Sequence, residues 1–311
     1  MIIVTDKLQA NCITHSGKFH ADDVFSTAFL DLYLNGVRVF RTNTVTKEDF
    51  KENVYIYDLG LGEFDHHQPD AKVRDNGIMY CSFGLLWEKY GKAYLIRENI
   101  EDVEDIFNEF VKDLVEAIDA DDNGMFPKIE ANYKVKTLST VIDIFNVGYN
   151  SGDDSNNQFL KAATFAKEII VEELKTIIGK HKAYKKVENI INNNIDNNIL
   201  ILDEYLPYND ALQQLDQDKK IYFVIYPSDR GGYAIKGVAK SINDKTLRIP
   251  FPKEWAGLTD KDLEEVCGVT GATFCHNKCF ISSAATLEAA KEMANIAIKC
   301  QTNKINEDII D

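Results

Sequence analysis

Short apolar runs rich in β-branched and aromatic residues alternate with amphipathic stretches over the first 145 residues. That alternation restricts the chain to an α/β architecture, because a helix following each strand must cover a face of the sheet. NCIT at 11–14, VRVF at 37–40 and NVYIYD at 53–58 read as strands. Between the first two, residues 22–34 have helical period, with Val24, Phe25, Ala28, Phe29 and Leu32 on one face. Asp22 and Asp23 fall in its first turn, where the helix dipole favours anions. A second helix is expected from Ser82 to Tyr90, stopped by Gly91. A third, at 101–120, turns Ile106, Phe107, Phe110, Leu114 and Ile118 inward and ends at Asp121-Asp122-Asn123-Gly124. A further helix is expected at 138–145.

Residues 146–157, rich in Gly, Asn, Asp and Ser, read as a loop. A long helix follows, from about position 158 to about 192, and its polar tail INNNIDNN reads as a linker. The chain then changes character. NILIL at 198–202, IYFVIY at 221–226 and YAIKGVA at 233–239 read as strands, with Arg230-Gly231-Gly232 in the turn between the last two. A helix at 259–266, strands ATFC and CFIS, and a last helix at 284–299 complete a smaller α/β unit. The expected domains are 1–150, built on a mostly parallel sheet with flanking helices, a helical connector at 151–195, and a C-terminal α/β domain at 196–311.

Composition limits the partners. Fifty acidic residues against 35 basic ones give a net charge of −15. Long duplex DNA is a poor expectation for such a surface, since its binding rests on many Lys and Arg contacts. A phosphorylated substrate is not excluded, because bound divalent cations can reverse the local field. No apolar run has membrane-spanning length, and MIIVTDKLQA lacks the pattern of a secretory signal. The six cysteines show no C-x-x-C pair, so a reducing cytoplasm with free thiols is the plain expectation. Cys275, His276 and Cys279 do not have a recognised zinc spacing and lack a fourth ligand.

Acids and histidines collect at the ends of elements. His15 follows the first strand, and His20, Asp22 and Asp23 follow it in the pattern H-x(4)-H-x-D-D. Asp58 ends NVYIYD, and Asp65, His66 and His67 come shortly after. Asp119, Asp121 and Asp122 close the long N-terminal helix. Each group alone has a plainer reading, as first-turn acids, turn acids or a surface histidine pair. Together they point to one edge, because open α/β sheets bind ligands beyond the carboxyl ends of their strands. Mixed His/Asp ligation suits a pair of hard or borderline cations, Mn²⁺ first and Mg²⁺ as the alternative, better than a thiolate zinc site. Two metals about 3.5–4 Å apart can hold the attacking water and the leaving oxygen of an in-line displacement. One histidine of the pair is then free to bond a phosphoryl oxygen or protonate a leaving group.

Asp65-His66-His67 with the upstream H-x(4)-H-x-D-D resembles the DHH phosphoesterase superfamily, and within it the melanocyte-proliferating-gene (MYG) branch of metal-dependent hydrolases. The matching stretches are THSGKFHADDVFSTAFL, YDLGLGEFDHHQ, CSFGLLWEKYG, EAIDADDNG, LSTVIDIFN, the Arg-Gly-Gly turn and PKEWAGLTDKDLEEVCGVTGATFCHNKCF. They occur in family order across nearly the whole chain. The resemblance implies a two-domain DHH-phosphoesterase-like fold with two divalent ions on the first domain. Carried over, His15, His20 and Asp22 supply the first ligand motif, and Asp58 the second, as a bridge. Asp65 and His66 supply the third, with His67 facing the phosphate, and Asp119 or Asp122 supplies the fourth. Asp58, Asp65 and His67 are the implied catalytic residues. The first motif is spaced differently from the superfamily's H-x(3)-D-x-D, and Asp23 stands where relatives often carry Glu.

The second domain resembles a substrate-binding half, with Arg230, Gly231, Gly232 and His276 as its contacts. The plainer readings are a hairpin turn for the glycines and a core position for His276. Ser282-Ser283 stands where relatives tend to have Gly-Gly. Tyr233 is a candidate for base stacking, with strand packing as the plainer alternative. The implied activity is a phosphodiesterase on short RNA or oligonucleotides, in the 3′→5′ exonuclease sense. The alternatives are a pyrophosphatase or cyclic-dinucleotide hydrolase, and a non-catalytic metal- or nucleotide-binding protein. Oligomerisation is left open.

Overall fold

The computed structural model describes residues 1–193 and 198–307. The linker expected over 191–198 falls in part, at 194–197, outside the described residues. The chain divides into two compact units, Met1–Gly179 and Lys180–Asp311.

The first unit runs β1 (Ile2–Ile3), β2 (Cys12–His15), α1 (Ala21–Leu34), β3 (Arg38–Thr42), β4 (Tyr55–Ile56), α2 (Ser82–Arg97), α3 (Val103–Phe110), α4 (Glu116–Asp122), α5 (Leu138–Ile142) and the first part of α6 (Ser155–Asn193). Its sheet has the order β1-β3-β2-β4 and every pairing is parallel. Cys12 pairs with Val39 on one side and Tyr55 on the other, so the carboxyl ends of β2 and β4 lie side by side. That edge carries His15, the last residue of β2, and Asp58, two residues beyond β4.

Helix α1 is buried from Ala21 through Asp31, which explains its weak amphipathicity. It is entered through the His20 N–H, which donates to Asp23 Oδ1 at 2.8 Å, and it closes on Asn35 in the left-handed conformation. Phe29 meets Trp87, Phe83 and Tyr94 edge-on, and Trp87 packs on Phe107 and Phe110. Burying each such ring stabilises the unit by about 1.5–3 kcal/mol. Side chains of α6 from Phe159 to Ile177 join the same core.

Two boundaries differ from expectation for physical reasons. Gly91 does not stop α2, which continues to Arg97; a Cβ at Gly91 would lie 2.8 Å from the Trp87 ring, so this glycine permits close packing. The helix expected at 101–120 is divided by a π-helical turn at Val111–Val115 and extends to Asp122, placing that acid in its last turn.

The second unit contains β5 (Ile199–Ile201), α7 (Asn209–Leu215), β6 (Phe223–Pro227), β7 (Tyr233–Gly237), α8 (Asp260–Cys267), β8 (Ala272–Cys275), β9 (Ile281–Ala284) and α9 (Leu287–Glu307). Its sheet has the order β5-β6-β7-β9-β8, parallel only between β5 and β6. The last helix starts three residues later than expected, because Ala284 still pairs in β9. Strand β1 and helix α7 are too short to announce themselves in the sequence. Among the described residues no helix is long and apolar enough to cross a membrane.

Candidate metal centre

A loop of tight geometry follows β4. Asp58 has φ 53°, a left-handed conformation that Asp tolerates better than most residues, and its N–H donates to Phe64 O at 3.0 Å. Gly60, at φ 86°, turns the chain where a side chain would strike Val45. The loop is fastened by Gln68 Nε2, which donates to Gly62 O at 2.7 Å and Asp65 O at 3.1 Å. These contacts return His66 and His67 to the edge where Asp58 projects.

Three groups of side chains there each place ligand atoms within 4.8 Å of one another: His15, His20 and Asp58; Asp58, His66 and His67; and Asp22, His66 and Asp122. Asp58 links the first two. Its Oδ2 lies 3.2 Å from His15 Nε2, and its Oδ1 lies 3.4 Å from His66 Nε2 and 3.7 Å from His67 Nδ1. Asp122 Oδ2 is 3.1 Å and Asp22 Oδ2 3.7 Å from His66 Nε2. Asp23 Oδ2 stands 3.1 Å from His15 Nε2. Residues from β2, α1, the loop after β4, and α4 therefore meet at one place.

The residues present fit divalent cations. His15 Nε2, His66 Nε2, Asp22 Oδ2 and Asp23 Oδ2 are buried atoms without a hydrogen-bond partner. Nitrogens and carboxylate oxygens that converge without hydrogen bonding are arranged as a ligand set. Electrostatics agrees. Burial pushes the Asp22 carboxyl well above its ordinary range, and Asp58 and Asp122 push it further. Burial also raises Asp122. Burial opposes charge on His15 and His66, yet the facing carboxylates prevail and hold them raised, at about 11 and about 9. Burial would raise Asp58 too, but His15 and His66 draw it below the ordinary range. The centre is a concentration of negative charge that demands positive partners. Burying a carboxylate costs several kcal/mol, so four acids below 8% exposure here (Asp22, Asp23, Asp58 and Asp65) are retained at the expense of stability.

Two acids expected as ligands are engaged elsewhere. Asp65 Oδ2 accepts from the Leu61 N–H at 2.6 Å, and its Oδ1 accepts from the His67 N–H and lies 2.8 Å from His67 Nδ1. It orients His67, whose side chain is 60% exposed. Asp119 is fully buried and pairs with Arg74, whose guanidinium lies over the Tyr80 ring. It also accepts from the Cys81 N–H at 3.1 Å and Cys81 Sγ at 2.9 Å. Asp119 thus holds the start of α2 at Cys81, close along the chain to the Phe83 N–H that donates to Asp22 Oδ1 at 2.6 Å. Cys81 opens the matching stretch CSFGLLWEKYG and Arg74 stands in none, but nothing in the sequence pairs either with Asp119; only the structure does.

In the second unit Arg230, Gly231, Gly232 and His276 line one cavity of about 910 Å³. The hairpin uses part of what the turn was expected to offer: the Gly231 N–H donates to Ser228 O and the Arg230 N–H to Ser228 Oγ. A Cβ on Gly232 would strike Ala284 O. Ser282 Oγ donates to Phe274 O at 2.5 Å, and Ser283 Oγ pairs with Thr273 at 2.8 Å. His276 Nδ1 accepts from the Lys278 N–H, and its ring packs on Phe280. Tyr233 packs against the core of its sheet.

Fold and centre together define an α/β protein with a His/Asp cluster that could hold metal at the carboxyl edge of a parallel sheet. A family model described as an uncharacterised protein family, UPF0160, matches residues 11–298. The chain belongs to this family, that of the MYG1 exonucleases. It is 28% identical to the MYG1 protein of Dictyostelium discoideum over 313 residues, covering 90% of this chain and 94% of that one. It is 27% identical to the MYG1 protein of Chlamydia trachomatis, covering 93% and 96%. It is 27% identical to the MYG1 exonuclease of Mus musculus, covering 92% and 84%. No solved structure gives a significant match.

Proposed function

We propose that this chain is a two-metal phosphodiesterase of the DHH type that hydrolyses short RNA or oligonucleotides in the 3′→5′ direction. The observation that carries it is the position of Asp58, whose two oxygens face two separate ligand groups. Relatives from mouse, rat and human bear the name exonuclease, which supports a nucleic-acid substrate.

His15, His20 and Asp58 would hold one ion, and Asp22, Asp58, His66 and Asp122 the other. Bound there, Mn²⁺ or Mg²⁺ would supply a water of lowered pKa and neutralise charge on the phosphoryl group. Asp58, common to both groups, would offset the repulsion between two cations. His15 Nδ1 lies 3.3 Å from Ser16 O, which orients the ring and leaves Nε2, with Asp23 Oδ2 3.1 Å from it, to face the ion. His67 is exposed and held by Asp65, which places a proton-bearing ring beside the ligand set without consuming it. It bonds a phosphoryl oxygen or gives its proton to the leaving oxygen.

The test offers the purified chain with Mn²⁺ a panel of 5-mer RNA, 5-mer DNA, pyrophosphate, cyclic dinucleotides and bis-p-nitrophenyl phosphate, with metal content measured in parallel. Turnover of the 5-mers, lost in Asp58→Asn, is expected. Bound metal with no turnover of any substrate sinks the enzyme; turnover of pyrophosphate alone makes it a pyrophosphatase.

A further inference from the structure

Residues 123–137 connect α4 to α5 without regular secondary structure. A loop of this length inside a compact unit is uncommon and is usually functional. Its composition is unlike the rest of the molecule. Phe126 is 70% exposed, Tyr133 76%, Ile129 54% and Val135 37%. Burying any of these would stabilise the unit by about 1.5–3 kcal/mol, so four left in water on one segment call for a cause. Lys128, Lys134 and Lys136 are exposed and only Glu130 opposes them, in a chain whose net charge is −15. Among the described residues none of the three lysines forms an ion pair.

The loop is not a detached patch. Phe126, Ile129, Tyr133 and Val135 line the same cavity, of about 1040 Å³, as His20, His66, His67 and Asp122. A cavity with candidate cation ligands in one part and exposed aromatic rings in another, with unpaired lysines next to those rings along the chain though not in its lining, matches one chemical object. That object has a phosphate to meet the cations, a flat apolar ring to stack, and further phosphates for the lysines. We propose that this loop is the nucleobase seat of the centre: Phe126 and Tyr133 stack on bases of a single-stranded substrate, and Lys128, Lys134 and Lys136 track its backbone. The inference rests on the phosphodiesterase reading and adds the substrate class. Stacking on rings is indifferent to base identity, so cleavage is sequence-tolerant. A duplex keeps its bases stacked on each other and cannot use the seat.

The experiment uses the full chain loaded with Mn²⁺ and 5-mer RNAs carrying 2-aminopurine at either end, read by stopped-flow fluorescence ahead of turnover. The parent is expected to quench the probe on binding. Phe126→Ala with Tyr133→Ala should weaken binding about tenfold or more. Phe126→Tyr with Tyr133→Phe, which keeps both rings, should restore it. Lys128→Ala with Lys134→Ala and Lys136→Ala should flatten the salt dependence by about 2 in log–log slope. Metal content should stay within twofold of the parent in all variants, which separates loss of the seat from loss of the centre. No quenching in the parent, or unchanged 5-mer affinity in the double alanine variant, overturns the seat even if RNA is hydrolysed. A change of oligomeric state with unchanged affinity assigns the patch to a protein contact and also overturns it. Quenching that is lost in the double variant, with no hydrolysis by the parent, keeps the seat and removes the enzyme.

Discussion

At the scale of single residues, the DHH triplet separates into three duties. His66 faces three carboxylates, as a residue of the proposed ligand set should, Asp65 bonds only the loop and His67, and His67 stands in solvent. The two buried members should therefore fail differently. His66→Ala should lower bound metal and activity together. Asp65→Asn should leave the metal in place and lower kcat about 10–100-fold, the usual cost of losing a group that orients a functional side chain. Metal analysis beside steady-state kinetics separates the two; loss of metal in Asp65→Asn would make that acid a ligand after all. Residue identity alone could not distinguish these duties. A carboxylate two positions from a histidine can ligate or orient, and the choice is made by the Leu61 N–H, whose position depends on the glycine turn at Gly60.

At the scale of elements, the centre depends on how α2 meets α4. Gly84 on α2 lies against the Asp119 carboxylate on α4, which in turn holds Arg74 and the Cys81 N–H. Asp119→Ala strands a buried guanidinium and should cost about 3–5 kcal/mol, read as a lower urea midpoint with unchanged slope. Gly84→Ala should destabilise in the same direction, because a methyl group there overlaps the carboxylate. A second tie joins α1 to α6. Burial alone would raise Asp31, but the Lys167 ammonium at 2.7 Å and the Met1 amino group at 3.0 Å hold its carboxyl below the ordinary value. The sign follows from linkage. A depressed carboxyl contributes stability above its unfolded pKa and loses it as pH falls toward the folded one. Between about pH 5 and pH 2 the parent should therefore lose more stability than Asp31→Asn, measured by urea unfolding at each pH. Parallel pH curves for the two proteins would exclude the tie. These ties were not legible beforehand. Helical period located α1 and α4, because it depends on neighbours in sequence, whereas Gly84 read as an ordinary helix residue because its constraint comes from 35 positions away.

At the scale of the whole molecule, the alternation of strands and helices pointed to one shared carboxyl edge, while the order that puts β4 beside β2 rather than β3 is seen only in the structure. Parallel neighbours in an open sheet share a carboxyl edge, and His15 and Asp58 close those strands. What stayed hidden was the wall opposite chemistry. The stretch 123–137 has no period, and its aromatics gain meaning only from the cavity they share with the centre. The net charge of −15 gives the molecule a field that repels nucleic acid, so the proposed cations at the centre and the lysines of that loop would have to supply local attraction. The central claim is that two divalent ions sit together on Asp58. Electron paramagnetic resonance of the Mn²⁺-loaded chain, with metal counted in the same sample, tests it most directly. Two Mn²⁺ per chain with an exchange-coupled signal, reduced to one or none in Asp58→Asn, is the expected result. One ion per chain, or two that show no coupling, would contradict it.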